Sequence, residues 1–432
     1  MIGIIGGGAA GLLAGIAAAQ RGGKVTILEK MSKPGKKMMI TGKGRCNVTT
    51  TAELPEIIKN IPGNGKFLYS ALRSFTNDDI RQLLAEHGCP TKEERGKRVF
   101  PVSDRAQDVV DTLVQVYQDL GGKLWTDAKV TRIVEEFGEV KGIEFNQRQF
   151  LACDRVILCA GGATYPLTGS NGEGAKLAKA VGHKIIPLKP SLVPLVSDWP
   201  YGDDLDGLNL RNTGAELLAD GKKLGSDFGE LLFTNYGVSG PMVLSLSNLA
   251  GKALDEGKDV ELVLDLKPAL NDEKLDNRIQ RDFKEFSKKT LQECLSALLP
   301  KVMIDVVLDM AYLDGMKLVN QVTKEERQRL LQTLKHFVVP IVATRPLAEA
   351  IVTAGGVDVK EINPKTMESK LVQGLYFAGE VMDVDGYTGG FNLQAAFSSG
   401  FVAGNSAAKR EKPFSRPGVG EVDCEARRSG SL

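Results

Sequence analysis

A glycine cluster near the start of the chain constrains the fold more than anything after it. Gly6, Gly8 and Gly11 follow the apolar run of residues 2–5 and open an Ala-rich stretch expected to be helical over residues 12–20. That strand, turn and helix order is the context a G-x-G-x-x-G needs. Each glycine has its own duty: Gly6 makes the tight turn, Gly8 lets a pyrophosphate approach the backbone, and Gly11 lets the helix close on the strand. The helix N-terminus, at Ala9 and Ala10, offers free amides and a positive dipole end to phosphate. Glu29 ends the next apolar run (Val25, Ile27, Leu28), where a carboxylate accepts hydrogen bonds from a ribose and repels a 2′-phosphate. Together these residues suit the adenosine half of FAD or NAD.

The 432 residues exceed one typical domain, so two or three are expected. Charge is balanced, 55 Lys and Arg against 54 Asp and Glu, and no nucleic-acid partner is expected from it. Six cysteines stand without metal-ligand spacing beside only three histidines, which argues against a metal site or disulfide framework. The first strand begins at residue 2 and no run of about 18 apolar residues occurs, so a soluble, cytoplasmic protein without a membrane span is expected.

Residues 30–50 are glycine-rich and basic with little periodicity. Because this loop follows a strand whose C-terminal end faces the ligand crevice, Lys37, Thr41, Gly44, Arg45, Cys46 and Asn47 become candidates for contact with an anionic cofactor. Amphipathic helical spacing covers residues 67–88 and 106–120, with a short strand over 98–103 between them. Residues 125–135 and 140–146 fit strands of a small sheet, with Val130 where a backbone edge meets an adenine. The run of residues 155–162 ends in Ala160, Gly161 and Gly162, small residues that allow close approach of a ligand. Cys159 beside them reads as a buried apolar residue.

Short strands are expected over residues 192–196, 215–219, 230–234, 242–246 and 260–264, then helices from Leu275 to Met310. Thr323 and Glu326 form a capping box opening a helix over 324–336. The chain returns to a strand over 375–378, a loop carrying Glu380, Asp383 and Asp385, and Gly389 and Gly390 opening a helix over 392–406. The expected division is a discontinuous dinucleotide-binding domain over 1–190 and 340–408, a β-rich insert over 191–268, a helical insert or lid over 269–339, and a flexible tail over 409–432.

Five ordered motifs carry a family resemblance: Gly6 to Gly11, Thr41-Gly-Lys-Gly-Arg-Cys-Asn47, Gly229-Glu-Leu-Leu-Phe-Thr-Asn-Tyr-Gly-Val-Ser-Gly-Pro241, Val352-Thr-Ala-Gly-Gly356 and Phe377-Ala-Gly-Glu-Val-Met-Asp-Val-Asp-Gly386. With them the chain resembles the BaiN-like (YhiN-type) NAD(P)/FAD-dependent oxidoreductases, a family that includes aminoacetone-oxidase-like flavoproteins. The resemblance implies an α/β, glutathione-reductase-type FAD-binding Rossmann-like domain with a β-barrel-like insert and a helical insert. It implies that Gly6, Gly8, Gly11, Glu29 and Lys30 hold the ADP moiety and that Val130 meets adenine. By the same resemblance Gly379 and Glu380 lie by the ribityl and pyrophosphate groups, and Gly390, Phe391, Asn392 and Leu393 present backbone to the flavin ring. Many relatives carry His where this chain has Asn235, so a histidine acid or base at that position is excluded here.

The expected activity is FAD-dependent hydride transfer at flavin N5 to or from a small organic substrate, either ene-type reduction or amine oxidation. No second glycine fingerprint is present, so NAD(P)H is expected only as a transient donor. Cys46, Tyr236, Arg345 and Thr353 are candidates for proton transfer, with Asn235 beside them. Two alternatives stand next to this: a flavoprotein acting on tRNA and a flavin-binding regulatory protein without turnover. Oligomeric state is left open.

Overall fold

Four of the shortest apolar runs in the chain, Ile2–Ile5, Val25–Leu28, Arg155–Leu158 and Leu375–Phe377, are buried over nearly their whole length. Strands covered on both faces belong to a parallel sheet between helices. The computed structural model, which describes residues 1–409, places them so. Leu375–Phe377, Arg155–Leu158, Ile2–Ile5, Val25–Leu28 and Lys123–Trp125 lie in that order, all parallel. The strand expected over residues 125–135 is two elements. Trp125 ends the edge strand of the parallel sheet, and Val130–Glu136 begins a separate antiparallel meander with Glu139–Phe145 and Gln149–Ala152.

Helix Ala9–Gln20 is buried almost throughout because it lies between the sheet and the last helix, Phe391–Ala407. Small residues make that contact close. A side-chain carbon at Gly400 would stand 2.3 Å from the Ala10 carbonyl oxygen, and one at Gly404 would stand 2.1 Å from that of Ala14. The two helices therefore begin at the same end of the domain, although their first turns are separated by nearly the whole sequence.

A second, antiparallel sheet of seven strands carries its own hydrophobic core. Its order is Phe337–Ile341, Val260–Asp265, Asn209–Ala219, Lys222–Thr234, Gly237–Ser239, Leu195–Val196 and Ala343–Thr344. The two edge strands are separated in sequence by Val342 alone, so the sheet curls until its edges meet, as in a barrel. Residues 340–344, expected with the dinucleotide-binding domain, pair in this sheet. The strands expected over 215–219 and 230–234 are the ends of strands 11 and 13 residues long.

The strand expected over 242–246 is instead part of helix Pro241–Asp255. Its Val-Leu-Ser-Leu alternation imitates a strand, but Met242, Val243, Leu246, Ala250 and Ala253 are the residues buried, a helical spacing. The helix expected over 67–88 is broken into Gly65–Leu68, Tyr69–Ser74 and Asn77–Glu86, because Thr76 caps the last of these with a reciprocal Asp79 bond.

Helices Asp272–Glu285, Leu291–Leu295, Lys301–Met310 and Lys324–Lys335 pack on the second core. Thr323 and Glu326 form the expected capping box. Among the described residues no helix is long and apolar enough to cross a membrane. The tail expected over 409–432 lies, from residue 410, outside the described residues.

Candidate functional site

The three fingerprint glycines meet three different surroundings. Gly6 has φ +101°, and a side-chain carbon there would stand 2.6 Å from the Cys159 carbonyl oxygen. At Gly11 the same carbon would stand 1.9 Å from the Gly6 carbonyl oxygen, so the helix rests directly on the turn. At Gly8 it would meet nothing within 4 Å, because this face opens on a cavity of about 850 Å³. No side chain caps the helix beyond Gly8, which leaves its first-turn amides for a ligand.

Glu29 and Lys30 line the same cavity as they leave the second strand. The Glu29 carboxylate accepts hydrogen bonds from the Gly7 amide at 2.7 Å and the Met31 amide at 2.8 Å. Burial pushes its pKa up, and the two amides work against that rise. Lys30 Nζ donates to Glu173 at 2.7 Å and Asn171 at 2.9 Å. Burial also opposes charge on Glu173, but Lys30 and Lys129 outweigh it and hold this carboxyl at about 2. Val130 lies at this end of the cavity wall.

Midway, Lys37 Nζ donates to Glu380 at 2.6 Å and to Thr164 Oγ1 at 2.7 Å. The other Glu380 oxygen accepts from the Thr353 amide at 2.8 Å. Ala160, Gly161 and Gly379 complete this stretch of wall. Gly390, with φ +96°, is pressed against the Thr49 carbonyl, where a side-chain carbon would stand 2.3 Å away. Helix Phe391–Ala407 starts there without a side-chain cap. Asn392 accepts from the Gly386 amide at 2.8 Å and donates to the Gly386 carbonyl at 2.7 Å, fixing the approach to that helix. Gly390, Phe391, Asn392 and Leu393 all line the cavity, as do Ala9, Ala10, Thr41 and Asn47.

Several sequence candidates lie elsewhere. Gly11, Gly44, Arg45, Cys46 and Gly162 do not line the cavity, and neither do Tyr236, Arg345 or Thr353. Arg45 is turned to Glu94 and Asp104, with its guanidinium 4.2 Å from the Phe100 ring centroid. Its charge is thus spent on carboxylates, while burial pushes the Cys46 thiol up to about 12. Thr353 is fully buried and accepts from the Ala163 amide at 2.7 Å. Arg345 pairs with Glu349 at 2.7 Å and covers the Tyr236 ring.

Residues that sequence reading passed over complete the wall: Ser170, Tyr165 and Tyr387, Lys43 and Arg98, and Leu192, Pro241 and Leu244 from the insert side. Ser170 stands inside a Gly-rich loop whose composition signals only a turn, and its burial depends on Gly161 packing beside it.

Whether a dinucleotide suits this cavity is answered by its orphaned polar atoms. Asn47 Oδ1 and Ser170 Oγ are buried without a protein hydrogen-bond partner, and both residues line the cavity. Buried polar atoms are rarely left unpaired. With two uncapped helix N-termini and an open face at Gly8, they fit a long ligand with polar groups at intervals, and the volume is in the range of cofactor sites.

Comparison with known proteins agrees. Residues 1–406 match the family described as HI0933-like protein Rossmann domain. The chain is similar to the 3-dehydro-bile acid delta(4,6)-reductase of Clostridium scindens, 34% identical over 425 residues covering 95% of this chain and 99% of that protein. It is also similar to the ribosomal RNA dihydrouridine synthase of Haemophilus influenzae, 32% identical over 412 residues covering 94% and 98%. In fold it resembles the 3-ketosteroid-delta4-(5alpha)-dehydrogenase of Rhodococcus jostii, with a TM-score of 0.53 at 16% identity over 95% and 96% of the two chains. With a Rossmann cavity suited to a dinucleotide and a family match across nearly the whole chain, the protein belongs to the HI0933-like, BaiN-like family of FAD-dependent oxidoreductases.

Proposed function

We propose that this enzyme reduces a carbon–carbon double bond conjugated to a carbonyl group. The observation that carries this reading is the end-to-end similarity to two relatives whose names describe the same bond chemistry on different molecules. A 3-dehydro-bile acid delta(4,6)-reductase acts on double bonds in line with a 3-oxo group. Forming dihydrouridine saturates the uracil double bond next to a ring carbonyl. FAD, when bound, supplies hydride transfer at N5.

In this reading Gly6, Gly8, Ala9, Ala10, Glu29 and Lys30 hold the ADP moiety, Val130 borders adenine, and Ser170 joins this set. Lys37, Glu380, Gly161 and Gly379 border the linker. Gly390 to Leu393 present the helix N-terminus to the ring edge, where the dipole favours negative charge. Asn47, Thr41 and the insert residues Leu192, Pro241 and Leu244 border the substrate side. The division into dinucleotide-binding domain, β-rich insert and helical insert then puts the substrate between flavin and insert.

Reduction also needs a proton at the second carbon. We assign it to Tyr387 Oη, which belongs to a cavity-lining residue four positions before helix Phe391–Ala407. Burial raises the pKa of this phenol, with Asp385 and Asp227 adding to the rise, so it holds its proton at neutral pH and yields it only to a strongly basic acceptor such as the enolate left on the substrate by hydride addition.

Anaerobic titration tests the reading. NADH or NADPH should bleach the oxidised flavin band, and an enone or a uridine substrate should restore it. Reduction by a small amine alone, with peroxide formed on admitting air, would instead establish amine oxidation. A second reading, in which the reducible ring is a uracil within RNA, is favoured by the relatives named for ribosomal RNA. It runs against the expectation of no nucleic-acid partner drawn from the near-zero net charge.

A further inference from the structure

The basic residues that line the cavity are of two kinds, paired and unpaired. Its three lining carboxylates are all engaged: Glu29 by backbone amides, Glu173 by Lys30 and Lys129, and Glu380 by Lys37. Among the described residues four lining cations make no ion pair: Lys33, Lys36, Lys43 and Arg98. Lys33 and Lys36 flank Pro34 and Gly35, and Gly35 donates to the Gly7 carbonyl at 2.9 Å, so these two stand at the glycine turn. A pyrophosphate there accounts for them.

Lys43 and Arg98 stand elsewhere. Arg98 pairs across strands with Thr50, next to the Thr49 carbonyl against which Gly390 is pressed. Gly42, the neighbour of Lys43, packs against Phe100 two residues along the same strand, where a side-chain carbon would stand 2.9 Å from the ring. Both cations thus belong to the end of the cavity where helix Phe391–Ala407 begins. Glu94 lies opposite Arg98 across the strands, but it and Asp104 are bound by Arg45 and Lys92, and Arg98 itself uses Nε on the Arg95 carbonyl at 3.1 Å, which leaves the two terminal nitrogens of its fork. Lys43 is exposed and held at φ +60° between two positive-φ glycines, a conformation that L residues seldom adopt.

We propose that Lys43 and Arg98 form a subsite for an oxyanion, carboxylate or phosphate, carried by the substrate away from the bond that is reduced. Resting on the reduction reading above, it narrows the substrate class to anions. A lysine point charge and an arginine fork on one side of a cavity suit such a group.

The test is binding to the oxidised FAD-loaded enzyme, followed by perturbation of the flavin spectrum, with two matched pairs: 3-oxo-4-cholenoic acid against its methyl ester, and uridine 5′-monophosphate against uridine. In at least one pair the anion should bind roughly tenfold more tightly, the size of one charge-assisted contact. That preference should shrink as salt is raised. In Arg98→Gln combined with Lys43→Gln the ratio within that pair should fall to about one. The pair that shows the preference tells a carboxylate source from a phosphate source. Equal binding within both pairs, no binding by any of the four, or a preference that survives the double substitution would overturn the subsite. Anion preference without reoxidation of the reduced enzyme would uphold the subsite and sink the reduction reading.

Discussion

Lys37 and Glu380 are 343 residues apart in sequence, yet Nζ and Oε2 lie 2.6 Å apart on the cavity wall. The pair ties the loop after the second strand to the loop after the last one. Both side chains are largely buried, at 28% and 19% exposure.

Replacing Lys37 with Met leaves Glu380 without its cation in a partly desolvated site. A loss of about 1–3 kcal/mol is expected, the usual cost of removing a charged hydrogen-bond partner. Thermal unfolding with and without FAD checks it. The two substitutions Lys37→Met and Glu380→Gln should be strongly non-additive in a double-mutant cycle.

The glycine turn gives a contrast. Gly11→Ala puts a methyl 1.9 Å from the Gly6 carbonyl oxygen and should abolish soluble, folded protein. Gly8→Ala meets open space at an ordinary φ of −85° and should keep its unfolding temperature without cofactor. Its FAD dissociation constant should rise by roughly tenfold or more, because the methyl stands where phosphate approaches. Equal FAD affinity in Gly8→Ala and the parent would remove Gly8 from the cofactor site.

Glu173 sets an acid limit. Its folded pKa of about 2 lies below the ordinary 4.5, so the unfolded chain takes up the proton first. The stability it adds is present above pH 4.5 and is lost as pH falls toward 2. With the side chain 29% exposed, solvent screening reduces the contribution to about 1–2 kcal/mol. Glu173→Gln should lower denaturant stability by that amount at pH 7, and the difference between variant and parent should shrink through this window.

Cys46 should be inert. Burial raises its thiol from 9 to about 12, so the unfolded chain ionises first and stability falls as pH climbs from 9 toward 12. Cys89, Cys153, Cys159 and Cys294 are buried as well. A thiol reagent at pH 8 should label these five only after denaturation, and Cys46→Ser should retain turnover. Rapid native labelling of Cys46, mapped by mass spectrometry, would contradict its burial.

Tyr387→Phe separates the two halves of the proposed reaction. Reduction of the flavin by a nicotinamide should be unchanged, while reoxidation by the unsaturated substrate slows by roughly 10²–10⁴-fold, the range for losing a general acid. Equal reoxidation rates in stopped flow would assign the proton to another group.

Much of the cofactor end was legible because its signals are local. The glycine spacing and the terminal Glu29 depend on residues a few positions apart, as does the Thr323 capping box in the helical insert. Helix Pro241–Asp255 shows where locality fails. Val243 to Leu246 alternate as a strand would, and only the second core, which buries Met242, Leu246 and Ala250, selects the helical period. Pro241 at the first helical position was the available start signal.

The family, the glycine turn of residues 6–11 and the place of Glu29 at the end of the second strand were readable from sequence alone, since these rest on short motifs with fixed backbone demands. Tertiary structure decided which neighbours of those motifs face the cavity. Arg45 and Cys46 point away because Glu94, Asp104 and the core claim them, whereas Ser170, Tyr387 and Arg98 face inward from loops and strands remote in sequence. Gly400 and Gly404 set the middle of the last helix against the start of the first, because only a missing side chain permits backbones so close. Such contacts depend on where two distant segments meet, and no local spacing encodes that distance.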